Sequence, residues 1–177
     1  MPRKEVRRVG IAEDLTPLEL LGVAIRSEIE AADLYRHMAA RVANLDLRER
    51  LTFLQHEEEK HRRLLEAAYE RQFPGVERVL PAQSLVPTVL RALQEETSIP
   101  ELFRLAIEAE RTAATFYAEL AGRAEEEASR TLLRYLSQME RGHEVLLQSE
   151  FEFIQQFPTS YQVEHFSLGQ EMIHLGP

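Results

Sequence analysis

Two short stretches carry residue types suited to metal chemistry: Glu58-Glu59-Lys60-His61 and Glu140-Arg141-Gly142-His143. Each sets a Glu three residues ahead of a His. Each follows a further Glu, Glu28 or Glu110, by 30 residues. The triplets share one offset: Glu28, Glu58 and His61 return 82 residues later as Glu110, Glu140 and His143. Helical residues three apart point the same way, roughly 5–6 Å from one another, so Glu-x-x-His offers a carboxylate and an imidazole to a single point. Four carboxylates and two imidazoles form a ligand set for two divalent ions. By symmetry Glu58 and Glu140 are the natural bridges, Glu28 and Glu110 each cap one ion, and His61 and His143 are terminal nitrogen ligands. Oxygen and nitrogen ligation without thiolate suits iron or manganese, and zinc also occupies such sites.

One Glu-x-x-His on a Glu-rich helix is usually a solvated face. Position separates these copies from that reading. Leu18, Leu21, Ile25, Glu28, Ala32, Tyr35, Ala39 and Val42 step by threes and fours and so share one helix face. Leu47, Leu51, Leu54, Glu58, His61, Leu65 and Ala68 make a second stripe. Phe103, Ile107, Glu110, Ala114, Tyr117, Ala121 and Ala124 make a third, and Leu133, Leu136, Glu140, His143, Leu147 and Ile154 a fourth. Each stripe is apolar except near its middle. Buried, uncompensated carboxylates are heavily penalised; two divalent cations make four of them tolerable. Glu57, Glu59, Lys60 and Arg141 fall off the stripes and read as solvated. Tyr35 and Tyr117, one heptad beyond Glu28 and Glu110, are either core residues with a bonded hydroxyl or catalytic residues, as donors to the metal ligands or redox participants. His37, His56, His165 and His174 lack the pattern. Glu150 stands on the fourth stripe near a bundle end, where it can reach solvent.

The elements that position these residues have readable ends. Thr16-Pro17-Leu18-Glu19 is a capping box with Pro at a tolerated first-turn position, and Ser98 to Glu101 repeats it. Asp46 with Glu49 resembles a further box. Phe73-Pro74-Gly75 and Phe157-Pro158 close the second and fourth helices. Residues 74–97 are rich in Pro and too long for a tight turn, with a short helix expected between Val86 and Leu93; they fit a crossover running the length of a bundle. The expectation is an all-α, ferritin-like four-helix bundle over 16–157, built from repeats 16–73 and 98–155. A mobile polar arm at 1–15 precedes it. An apolar tail at 158–177 follows, packing on the bundle or on a partner.

Composition bounds the function. The chain has 177 residues and a net charge of −9, which argues against nucleic-acid binding. It has no Cys, which excludes disulfides, thiolate zinc sites and iron–sulfur centres. No signal-peptide core or membrane-length apolar run is present. The expectation is a cytoplasmic protein with no membrane partner, and a homodimer by default.

The stretches Ala24-Ile25-Arg26-Ser27-Glu28-Ile29-Glu30, Glu57-Glu58-Glu59-Lys60-His61, Ala106-Ile107-Glu108-Ala109-Glu110 and Met139-Glu140-Arg141-Gly142-His143 resemble the rubrerythrin-like branch of the ferritin-like di-iron carboxylate superfamily, whose ligand set is a Glu from each of two helices and Glu-x-x-His from each of the others. The resemblance implies two iron ions per chain and an oxidoreductase acting on hydrogen peroxide or dioxygen, as a peroxidase or ferroxidase. Iron storage of ferritin type and a manganese catalase-like activity are the alternatives. Rubrerythrins proper also carry a Cys-ligated iron that relays electrons. Without Cys, peroxidase activity here needs an external electron donor. The family places an extra Glu one turn past the third-helix ligand; this chain has Ala113 there, and Ala31 at the matching first-helix position.

Overall fold

The computed structural model describes residues 15–82, 85 and 97–157. The short helix expected between Val86 and Leu93, the tail at 158–177 and the arm at 1–15, apart from Leu15, lie outside these residues. Four helices make up the described fold: α1 (Pro17–Arg41), α2 (Leu45–Gln72), α3 (Ile99–Arg123) and α4 (Glu127–Gln156). Both expected capping boxes form. Thr16 accepts from the Glu19 amide while Glu19 accepts from the Thr16 amide, and Ser98 and Glu101 do the same. Such a cap contributes about 1 kcal/mol. The second start differs from the sequence reading. Asn44 caps α2 by accepting from Leu47 N, and Asp46 lies inside the first turn. There its charge faces the positive end of the helix dipole instead of capping it.

α1 pairs with α2 and α3 with α4 as two antiparallel hairpins. The hairpins meet through α1 against α3 and α2 against α4. The crossover joins opposite ends of the bundle. It begins beside the start of α1, where Arg26 Nη1 donates to Pro81 O at 2.7 Å. It ends beside the last turn of α1, where Arg41 Nη1 donates to Thr97 O at 2.6 Å. α3 therefore starts where α1 stops, and the two run antiparallel. This up-down-down-up order is the ferritin-like bundle that the stripes predict.

The core falls into two apolar clusters. One gathers Leu34, Met38, Leu47, Leu51, Leu54, Phe103, Leu147 and Ile154. The other gathers Leu21, Ile25, Leu65, Tyr69, Phe116, Leu120, Leu133 and Leu136. Between them lies a polar layer of Glu28, Glu58, His61, Glu110, Glu140 and His143, all buried. Apolar clusters bound this layer on both sides, and low local dielectric strengthens every charge interaction within it. Glu150 departs from its sequence reading. It is buried and ion-paired with Arg50 of α2, because that side chain reaches across the hairpin interface to it. No helix among the described residues is long and apolar enough to cross a membrane.

Candidate metal centre

The structure brings all six sequence-selected residues to one layer, with α1 and α3 each supplying one Glu and α2 and α4 each supplying a Glu and a His. The three-residue spacing works as expected: His61 Nδ1 lies 3.2 Å from Glu58 Oε2, and His143 Nδ1 lies 3.2 Å from Glu140 Oε2. Across the hairpin interface, Glu140 Oε1 is 3.1 Å from His61 Nδ1, and Glu58 Oε1 is 2.8 Å from His143 Nδ1. Glu58 and Glu140 thus each turn one oxygen to each imidazole. The outer carboxylates stand further off, with Glu28 Oε2 at 3.7 Å from His61 Nδ1 and Glu110 Oε2 at 3.7 Å from His143 Nδ1. The two rings stack with centroids 5.5 Å apart and an interplanar angle of 16°. Ligand atoms of Glu58, His61, Glu140 and His143 all lie within 4.8 Å of one another.

Proximity here is not mutual satisfaction. Glu58 Oε1, both oxygens of Glu140 and both ring nitrogens of His143 are buried with no hydrogen-bond partner among the described residues. Buried polar atoms are normally paired, and an orphan costs about 1–3 kcal/mol. Several orphans converging on one small volume fit a group that binds them all.

The tyrosine hydroxyls hold the outer carboxylates. Tyr35 donates to Glu110 Oε1 and Tyr117 donates to Glu28 Oε1, each across the α1–α3 interface. Both tyrosines are core residues, and each hydroxyl bonds a carboxylate of the opposite repeat. Each outer Glu spends one oxygen on a tyrosine and keeps the other toward an imidazole. Burial, with the Glu110 and Glu28 charges, pushes both phenols well above their ordinary range, so they remain donors.

Without metal, the cluster holds protons. Burial, then the neighbouring carboxylates, pushes Glu58 and Glu110 each up to about 8 and also raises Glu140. Burial by itself would lower His61, but Glu140, Glu28 and Glu58 beside it outweigh that and push it up to about 12. His143 rises in the same way. The raised carboxyls and raised imidazoles describe one shared set of protons that belongs to the whole cluster.

A cavity of about 20 Å³ opens onto the layer between α1 and α3. Its lining is Glu28, Glu58, Glu110 and Glu140 with Ser27, Glu30, Ala31, Ala109 and Ala113. Ala31 and Ala113 leave the space that a longer side chain would fill. The volume has room for about one water-sized molecule. Two residues here escaped the sequence reading. Glu30 lies off the α1 stripe and has Thr112 as its counterpart, so repeat symmetry gives no signal. Tyr135, 37% exposed, stands edge-on to the fully buried His61 ring at 6.3 Å between centroids. Of the remaining histidines, His37 is partly buried and His56 exposed, both outside the layer; His165 and His174 lie outside the described residues.

No curated protein matches the chain. Among solved structures, a Pyrococcus furiosus protein described as hypothetical is 38% identical, with a TM-score of 0.76 over 84% of this chain and 96% of that one. The rubrerythrin family matches residues 19–151. With that match spanning both hairpins and all six buried ligand-type residues, the chain belongs to the rubrerythrin family.

Proposed function

We propose that this layer binds two metal ions, iron before manganese or zinc, and that the protein is an oxidoreductase acting on peroxide or dioxygen. The observation that carries the reading is the paired orientation of Glu58 and Glu140, each with one oxygen toward each histidine. In this reading Glu58 and Glu140 would serve both ions, Glu28 and Glu110 one ion each, and His61 and His143 would supply the ring nitrogens. Bound iron would supply electrons by passing between its ferrous and ferric states. The chain's own residues do the rest. Ala31, Ala109 and Ala113 leave room beside the carboxylates for a small substrate such as dioxygen or hydrogen peroxide. Tyr35 and Tyr117 fix the capping carboxylates. Reducing one peroxide to two waters consumes two electrons and two protons, and the electrons come from an external donor because the chain has no Cys. A homodimer belongs to the same proposal and is checked by light scattering.

The test is metal analysis after anaerobic Fe(II) loading, paired with peroxide consumption with and without reductant. Two ions per chain and reductant-dependent consumption are expected. Replacing Glu58 and Glu140 with Gln should abolish loading. Less than one ion per chain in the wild type, or a double variant that loads like wild type, sinks the reading. Oxygen release from peroxide with manganese and no reductant would instead establish catalase chemistry, and loading of many irons per chain would establish storage.

A further inference from the structure

The cavity wall includes a fifth carboxylate that the proposed ligand set does not use. Glu30 lines the same space as Glu28, Glu58, Glu110 and Glu140. It is the most exposed of the five, at 7% against 2% for Glu28 and Glu110 and 1% for Glu58 and Glu140. Of the five carboxylates lining the cavity, Glu30 therefore keeps the most contact with solvent. Neither histidine lines the cavity, so a cation arriving this way meets oxygen first. At the inner end wait the orphaned oxygens of Glu58 and Glu140.

Glu30 is held by a partner that is itself anchored. Arg26 Nε lies 2.6 Å from Glu30 Oε1, and the same guanidinium donates to Pro81 O of the crossover at 2.7 Å. Arg26 is partly exposed and can move toward solvent without unpacking the core. Duplication did not copy this pair: 82 residues on, Arg26 and Glu30 become Glu108 and Thr112. The mouth is one-sided in a centre that is otherwise nearly symmetric.

We infer that Glu30 is the gateway carboxylate for metal uptake. A divalent cation passing between α1 and α3 is taken first by Glu30 in exchange for the Arg26 guanidinium, then passed inward to Glu28 and the Glu58–Glu140 pair. Between uptake events Arg26 supplies the counter-charge that a buried carboxylate needs. A divalent ion is the stronger local charge and displaces it. This inference rests on the two-metal reading above.

The experiment mixes metal-free protein with Co(II) in a stopped-flow spectrometer and follows the cobalt absorption. Elemental analysis gives the final stoichiometry, and circular dichroism checks folding. Glu30→Gln should still bind two Co(II) per chain, at a rate at least tenfold below wild type, with Glu30→Asp restoring most of the rate. Arg26→Gln breaks the same ion pair but keeps the carboxylate, and should load at least as fast as wild type. Wild-type uptake in Glu30→Gln overturns the inference. So does Arg26→Gln slowing as much as Glu30→Gln, because the pair would then only brace the helix. Saturation of Glu30→Gln at one ion would make Glu30 a ligand and not a gateway. If Glu30→Gln does not fold, Arg26→Gln and Glu30→Asp decide by the same criteria. Wild-type protein that takes fewer than two ions overturns the two-metal reading, and this inference with it.

Discussion

The hydroxyl of Tyr35 donates to Glu110, 75 residues further along the chain, and Tyr117 returns the bond to Glu28. The tyrosine of each repeat therefore orients the outer carboxylate of the other. Neither repeat can set the angle of its own outer carboxylate. These two buried bonds bridge the α1–α3 interface through which the cavity opens.

Tyr35→Phe should act on one half of the centre. It frees Glu110 Oε1 and leaves the Tyr117–Glu28 bond intact. Loss of such an outer partner typically costs 10–100-fold in metal affinity. Competitive chelator titration of the variant should show one ion weakened by about that factor and the other little changed. Equal weakening of both ions would contradict the crossed assignment.

Metal-free protein should lose stability as pH rises. Glu58 and Glu110 move from 4.5 up to about 8. A carboxyl with a raised folded pKa binds protons more tightly in the folded state, so its contribution is complete below about 4.5 and is lost by about pH 8. His61, raised from 6.5 to about 12, adds a loss between those values. In the presence of chelator the thermal midpoint should fall by roughly 5 °C or more between pH 5 and pH 9. Glu58→Gln should flatten that slope. Added Zn(II) or Mn(II) should raise the midpoint more at pH 8 than at pH 6, because binding must expel the shared protons. A metal-free midpoint that climbs with pH would refute this account.

Two glycines should respond in opposite directions. A Cβ on Gly142 meets nothing within 4 Å. Gly142→Ala in α4 should therefore gain about 1 kcal/mol from helix propensity. A Cβ on Gly22 would sit 3.0 Å from Pro81 Cδ and 3.2 Å from Val79 O. Gly22→Val should lose about 1–3 kcal/mol by forcing the crossover off α1. Urea denaturation of the two variants gives both signs directly.

Tyr135→Leu should remove the ring that stands edge-on to His61 while leaving the stripe residues in place. With Co(II) as the probe, the expected outcome is two ions still bound and an altered cobalt spectrum, as the His61 ring loses its lateral support. An unchanged spectrum would mean the contact does not orient the imidazole.

Much of this was legible in the sequence because periodicity and burial coincide. The stripes place Glu28, Glu58, His61, Glu110, Glu140 and His143 in mid-helix on core faces, and all six are buried there. The boxes at Thr16 and Ser98 form because a hydroxyl and a Glu three residues on satisfy each other locally. What escaped depends on contacts between distant segments. Glu30 lies off the α1 stripe and carries no signal there, yet it is buried and Arg26, anchored to Pro81 of the crossover, pairs with it. Glu150 reads as reaching solvent, yet Arg50 arrives from α2. Asn44, and not Asp46, caps α2, a choice between neighbours that depends on where the chain leaves Val42. The tyrosine bonds needed the antiparallel pairing of α1 with α3, which no single stripe encodes.

The 82-residue repeat has a further consequence. A lone hairpin would carry two of the four carboxylates and one imidazole, with its tyrosine aimed at a partner it lacks. It would be half a site, and assembly would depend on concentration. Joining two hairpins in one chain makes their meeting intramolecular, at an effective concentration that dilution does not change. Fusion also releases the copies from identity, since each position is now encoded separately. Arg26 and Glu30 on one side, with Glu108 and Thr112 on the other, show that the two halves have already diverged.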